Sequence, residues 1–183
     1  MSTATAELNL VKGQKIAMPT GLTKIAVGVA WDFEVGKKFD IDLFCYPLDA
    51  NKKVADDTVY FGHLSTDGVK HSGDNLTGEG DGDDEVITVD VATLKPAVKR
   101  LAFYVNIYNQ PSANFGQIKA ASCRAFDPAK PAESICKYDL NEDYSANNAI
   151  HLGDLYEKDG AWKFEAIGES KSGDINALRA PYM

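Results

Sequence analysis

Apolar residues recur along this chain in short runs and strict alternations, separated by clusters of Gly, Asn, Asp and Pro. A period of two in short segments is the signature of half-buried strands. Residues 24–31 place Ile25, Val27, Val29 and Trp31 on one face and Ala26, Gly28 and Ala30 on the other. Residues 101–108 alternate Leu101, Phe103, Val105 and Ile107 with Ala102, Tyr104, Asn106 and Tyr108. Further strands are expected over 41–48, 84–89, 117–126, 133–140, 150–156 and 162–167. Lys158-Asp159-Gly160 reads as a hairpin turn between the last two. Two segments look helical: a turn or short helix at 91–95, ended by Pro96, and residues 174–178, where Asp174 can cap the start. The predicted fold class is all-β, a two-sheet antiparallel β-sandwich with one or two short helices, including one near the C-terminus. With no internal repeat and no linker, a single domain over residues 1–183 is expected.

The segments 117–126 and 133–140 flank a proline-rich turn at 127–131. A symmetric hairpin there pairs residues whose numbers share one sum, which sets Cys123 opposite Cys136 on one face. The third cysteine is Cys45, and none lies in a Cys-x-x-Cys spacing. Reduced thiols in a cytosolic protein are the expectation. No basic segment followed by an apolar run opens the chain, so neither a secretory signal nor direct membrane insertion is expected.

Charge narrows the partners. The formal net charge is −8 and the pI about 4.8. An acidic surface gains nothing from a polyanion, so nucleic acid is excluded as a partner and cations are favoured.

The chemistry concentrates in one loop. Between Asp74 and Glu85 stand six carboxylates, three glycines and no basic residue. Like charges packed this densely are costly in a folded chain unless a cation joins them. Calcium takes roughly 6–8 oxygens from carboxylates, amides and carbonyls, and interleaved glycines let the backbone bend so that those oxygens converge. A solvated acidic loop is the bland alternative. The alternation of Gly78, Gly80 and Gly82 with Glu79, Asp81 and Asp83, leading straight into a strand, weighs against it. The loop is not an EF-hand, because Leu76 and Glu79 stand where a ligand and a glycine are required. Its ligands must therefore draw on other segments. Asp40 and Asp42 flank Ile41 and share a strand face, and Asp32 ends the preceding strand.

Other constellations carry little. Residues 168–173 have the glycine spacing of a phosphate loop, but Asp174 stands where lysine is required. His63, His71 and His151 are scattered, which suits packing or surface roles better than catalysis or zinc ligation.

On these residues the chain resembles the TerD family of bacterial tellurium-resistance and stress-response proteins. The likeness rests on the thirteen-residue string from Gly73 to Glu85, on Gly28-Val29-Ala30-Trp31-Asp32 and on Phe39-Asp40-Ile41-Asp42. Asn114-Phe115-Gly116-Gln117, Tyr138-Asp139-Leu140, Gly153-Asp154-Leu155-Tyr156 and Trp162-Lys163-Phe164 follow in order. The resemblance implies a sandwich binding two calcium ions at one end, with no catalytic activity. Its carboxylate ligands fall here on Asp32, Asp40, Asp42, Asp74, Asp81, Asp83, Asp84 and Glu85, with Asn75 and Glu79 as further ligands. It also implies stress-complex proteins as partners, in the cytoplasm or peripheral to the inner membrane. Two departures stand out: residues 108–113 form a short uncharged loop, and Leu43-Phe44-Cys45-Tyr46 is bulkier than the family pattern. The leading functional expectation is a calcium-dependent interaction module. The alternative is a metal-dependent hydrolase built on the same carboxylates.

Overall fold

The computed structural model describes residues 8–33, 36–76, 78, 81–110, 112–140 and 146–183. Two sheets face each other. The larger runs in the order β1 (Leu8–Asn9), β10 (Ser134–Asp139), β9 (Ile118–Phe126), β3 (Lys24–Phe33), β7 (Glu85–Asp90), β6 (Val69–His71) and β5 (Ser65–Thr66). The smaller runs β2 (Lys15–Ala17), β12 (Ala161–Lys171), β11 (Ala149–Lys158), β8 (Arg100–Ile107) and β4 (Ile41–Leu48). The pairings are antiparallel except for β1 against β10.

The alternation read from the sequence sets the core. Ile25, Val27, Val29 and Trp31 of β3 and Ile87 and Val89 of β7 meet Leu43, Leu101, Phe103 and Val105 of the opposing sheet in one apolar cluster. The β11–β12 turn holds Asp159 at φ 55° and Gly160 at φ 75°. Those positive angles belong to the two-residue turn whose twist matches the flanking strands. Residues 91–94 form a turn, and Pro96 follows it.

β4 departs from alternation because every one of its residues is buried. Its odd positions face the sandwich core, whereas Phe44, Tyr46 and Leu48 join Ala102, Tyr104 and Leu178 in a second cluster on the outside of the five-stranded sheet. The cover there is α1 (Ile175–Arg179), capped by Asp174, whose side chain accepts from the backbone N–H groups of Asn176 and Ala177. Tyr46 donates to the Ile175 carbonyl at 2.5 Å, and the Tyr104 and Tyr182 hydroxyls lie 2.6 Å apart. The bulk at Leu43-Phe44-Cys45-Tyr46 is thus the floor on which the C-terminal segment rests.

One expected register does not hold. Cys136 lies opposite Ala125, and Cys123 lies opposite Tyr138, because the pairing shifts between Ser134 and Cys136. Two consecutive turns, Lys130 N–H to the Asp127 carbonyl and Glu133 N–H to the Lys130 carbonyl, make the connection asymmetric. A bulge then absorbs the mismatch. The two cysteines are diagonal neighbours, not opposed ones. Both are buried, and burial pushes the Cys136 thiol up to about 11.

Candidate metal centre

β4 is the last strand of the smaller sheet, and its outer edge lies beside β7 of the larger one and is reached by His71 of β6. An edge strand has unpaired backbone groups on alternate residues. Those of Leu43 are met by side chains. Its N–H donates to Glu85 Oε2 at 2.7 Å, and its carbonyl lies 3.0 Å from His71 Nε2. His71 Nε2 is also 3.3 Å from Glu85 Oε2, while His71 Nδ1 accepts from the Gly73 N–H at 3.0 Å. With Nδ1 accepting, the ring proton sits on Nε2. Glu85 is fully buried, and His71 is nearly so. The pair stands in for a missing strand and locks the acidic loop to β4.

Asn75 organises that loop. Its N–H donates to Glu85 Oε1 at 3.1 Å, its Nδ2 reaches both the carbonyl and Oδ1 of Asp84 at 3.3 Å, and its Oδ1 accepts from the Gly78 N–H at 3.0 Å. Gly78, at φ 59°, lies close against the Trp31 indole. A Cβ there would meet Trp31 Nε1 at 2.1 Å, so the glycine is sterically required.

This scaffold gathers three of the carboxylates expected from sequence. Asp40, Asp42 and Asp74 each offer an oxygen, and these oxygens all lie within 4.8 Å of one another. Oδ1 of Asp40 and Oδ1 of Asp42 are buried with no hydrogen-bond partner. Burial, and then the neighbouring Glu85, Asp40 and Asp74, push the Asp42 carboxyl up to about 8. Asp40 is raised by burial first, then by Asp74 and Glu85. Carboxyl groups crowded and buried in this way hold protons that ordinary carboxylates would release.

The other expected ligands are placed differently. Asp84 Oδ2 accepts from the Trp31 N–H at 2.8 Å, where β3 runs past the end of β7, and burial raises its pKa. Asp83 receives Arg124 Nε at 3.0 Å and Nη2 at 2.7 Å, on the outside of the larger sheet over Gly28. Asp32 is exposed and paired with Lys119 at 2.9 Å, which holds its carboxyl below the usual range. Asp81 is exposed. Glu79 lies outside the described residues.

His71 was not legible as part of the site, since a lone histidine near a strand carries no signal of its contacts. Arg124 and Lys119 were equally silent, because they approach from strand β9, more than thirty residues further along the chain.

A TerD domain model matches residues 6–182 of this chain. The chain belongs to the TerD family. Among family members, general stress protein 16U of Bacillus subtilis is 36% identical over 187 residues, covering 96% of each chain. Tellurium resistance protein TerD of Serratia marcescens is 34% identical over 186 residues, again covering 96% of each. The fold recurs in the crystal structure of a homologue of telluride resistance protein TerD from Streptomyces coelicolor. That structure superposes with a TM-score of 0.72 at 20% identity, over 87% of this chain and 96% of the other. This TerD-family chain therefore sits among tellurium-resistance and stress-response proteins by sequence, and its two-sheet architecture is theirs. No helix among its described residues is long and apolar enough to cross a membrane.

Proposed function

We propose that this TerD-family protein binds calcium where the acidic loop meets β4, and that it serves a stress response as a calcium-dependent interaction module. One observation carries the reading: three carboxylates converge within 4.8 Å, and two of their buried oxygens have no partner in the protein. A buried carboxylate without a partner is costly, and a cation at the point of convergence removes that cost. The donor set is all oxygen, which suits a hard cation rather than zinc. A glycine-rich loop adapts to the larger, more variable shell of calcium better than to the strict octahedron of magnesium. When bound, calcium supplies positive charge and a shell of roughly 6–8 oxygens.

Within that reading Asp40, Asp42 and Asp74 hold the first ion. Glu85 and His71 fix the strand edge from which Asp42 projects, and Asn75 fixes the loop carrying Asp74. Asp81 and Asp84 are the described carboxylates left to serve a second ion. Asp83 and Asp32 would first have to leave Arg124 and Lys119. Ordering of the loop then shapes the surface offered to other stress-complex proteins, in the cytoplasm or peripheral to the inner membrane.

The hydrolase reading is weaker. It needs a base beside the ion. Both ring nitrogens of His71, which borders the loop, are already engaged with Glu85, Leu43 and Gly73.

Calorimetric titration of metal-stripped protein tests the proposal. Saturable calcium binding is expected, weakened by Asp42→Asn, with Asp42→Asn and Asp74→Asn combining non-additively because they share one ion. Calcium binding untouched by either substitution would place the site elsewhere.

A further inference from the structure

Beside Asp42, on the outside of the five-stranded sheet, lie two adjoining cavities that the metal reading leaves unused. One, of about 590 Å³, is walled by carboxamides: Asn106, Asn109, Gln110, Asn114 and Asn148, with Tyr108. The other, of about 400 Å³, is walled by Asp42, Phe44, Tyr60, Phe61 and Asn176. Asn106, Tyr108 and Asp174 belong to both. No lysine, arginine or histidine among the described residues lines either.

Asn106 is the decisive residue. Asparagine is depleted in strands, yet this one sits in β8, opposite Asp42 of β4 and only 5% exposed. Its carboxamide has no hydrogen bond from any described residue, although it lines both cavities. The amide therefore opens onto the cavities, where a ligand or water can complete its hydrogen bonds. Asn148 is already committed, since it receives the Gly173 N–H at 3.0 Å. Asn109, Gln110 and Asn176 keep their side chains free of bonds to described residues.

The lining selects a chemical class. A carboxamide both donates and accepts, as a hydroxyl does, so several of them match a row of hydroxyls without adding charge. Phe61 and Tyr108, edge to face at 5.1 Å between ring centroids, add apolar faces for the C–H surface of a sugar ring. Phosphate and carboxylate ligands find no cation here. An extended peptide finds no free strand edge, because β4 is taken at Leu43 by Glu85 and His71 and at Cys45 by Val59. We propose that this paired cavity binds a neutral saccharide. The proposal goes beyond the metal reading, to which it is joined only through Asp42.

The test is a titration of the full chain with maltose, cellobiose and N,N′-diacetylchitobiose, followed by amide chemical shifts, with calcium and again with EDTA. At least one saccharide should give saturable shifts at Asn106, Tyr108 and Asn176 in one of the two conditions. Asn106→Leu and the exposed Tyr108→Ala should each weaken that binding about tenfold or more, as expected for lost hydrogen bonds and a lost ring face. Tyr108→Ala should leave the melting temperature unchanged, which separates lost binding from lost folding. No saturable response to any of the three sugars overturns the proposal. So does a response that both variants leave intact, or an equal response to a Gly-Ser peptide. Calcium calorimetry on the same samples reads the metal site separately, so either reading can fail without the other.

Discussion

Asp42 is held where a carboxylate is least comfortable, buried and facing the like charges of Glu85, Asp40 and Asp74. An unfolded aspartate loses its proton near about pH 3.9. Asp42 in the metal-free fold keeps its own up to about pH 8. Between those values the unfolded chain has released a proton that the folded one still binds, so this group's contribution to stability falls as pH rises and levels off above pH 8. Asp42→Asn has no proton to lose. In EDTA the variant should therefore gain on the wild type from about pH 4 to about pH 8, as read from urea midpoints. A difference between the two that stays flat with pH would remove Asp42 from the account. Gly28 gives a second prediction at this scale. A Cβ there would lie 2.5 Å from the Asp83 carboxylate, which Arg124 grips through Nε and Nη2. Gly28→Ala should cost about 1–3 kcal/mol in chemical denaturation, the usual range for forcing extra volume into a packed contact. These two effects were out of reach of the sequence, where Asp42 and Asp83 looked like equivalent members of one acidic set. Packing made one an unpartnered buried acid and the other half of an ion pair.

Among the elements, β4 decides the most. A strand was expected over 41–48, and the structure buries all of it, because one face packs on the sandwich core and the other beneath α1. Its free edge would invite pairing with another chain, and the Glu85–His71 pair covers that edge at Leu43. Glu85→Ala removes the acceptor for the Leu43 N–H and should cost about 1–3 kcal/mol of stability. It should also weaken calcium binding by loosening β4 from the loop. A variant with full stability and unaltered calcium affinity would show the pair to be incidental. The β9–β10 hairpin makes the complementary point. Both strands were legible from composition and the turn from its prolines, but the register was not. It depended on a bulge that no local pattern announces.

For the molecule as a whole, the largest expected response is to calcium itself. An ion that binds only the native state stabilises it by about 2.7 kcal/mol when its free concentration is about 100 times the dissociation constant. Calcium should therefore raise the melting temperature of metal-stripped protein by several degrees, and magnesium should do so much less. A melting temperature indifferent to calcium and to EDTA would contradict the metal reading at the scale where every ligand contributes. Much of the architecture follows from the chain alone. Period-two patterning specified most of the long strands, and Asp174 marked the C-terminal helix, because these features depend on neighbours in sequence. The crowding of like charge in the acidic loop was visible for the same reason, since six carboxylates within twelve residues repel wherever the chain runs. Only the tertiary structure decided which of those carboxylates meet. Asp74 joined Asp40 and Asp42 across more than thirty residues of chain, while Asp83 turned to Arg124 and Asp32 to Lys119. Partner choice among like charges depends on which cations and strand edges the fold brings near. That information lies in long-range packing and not in the run of residues.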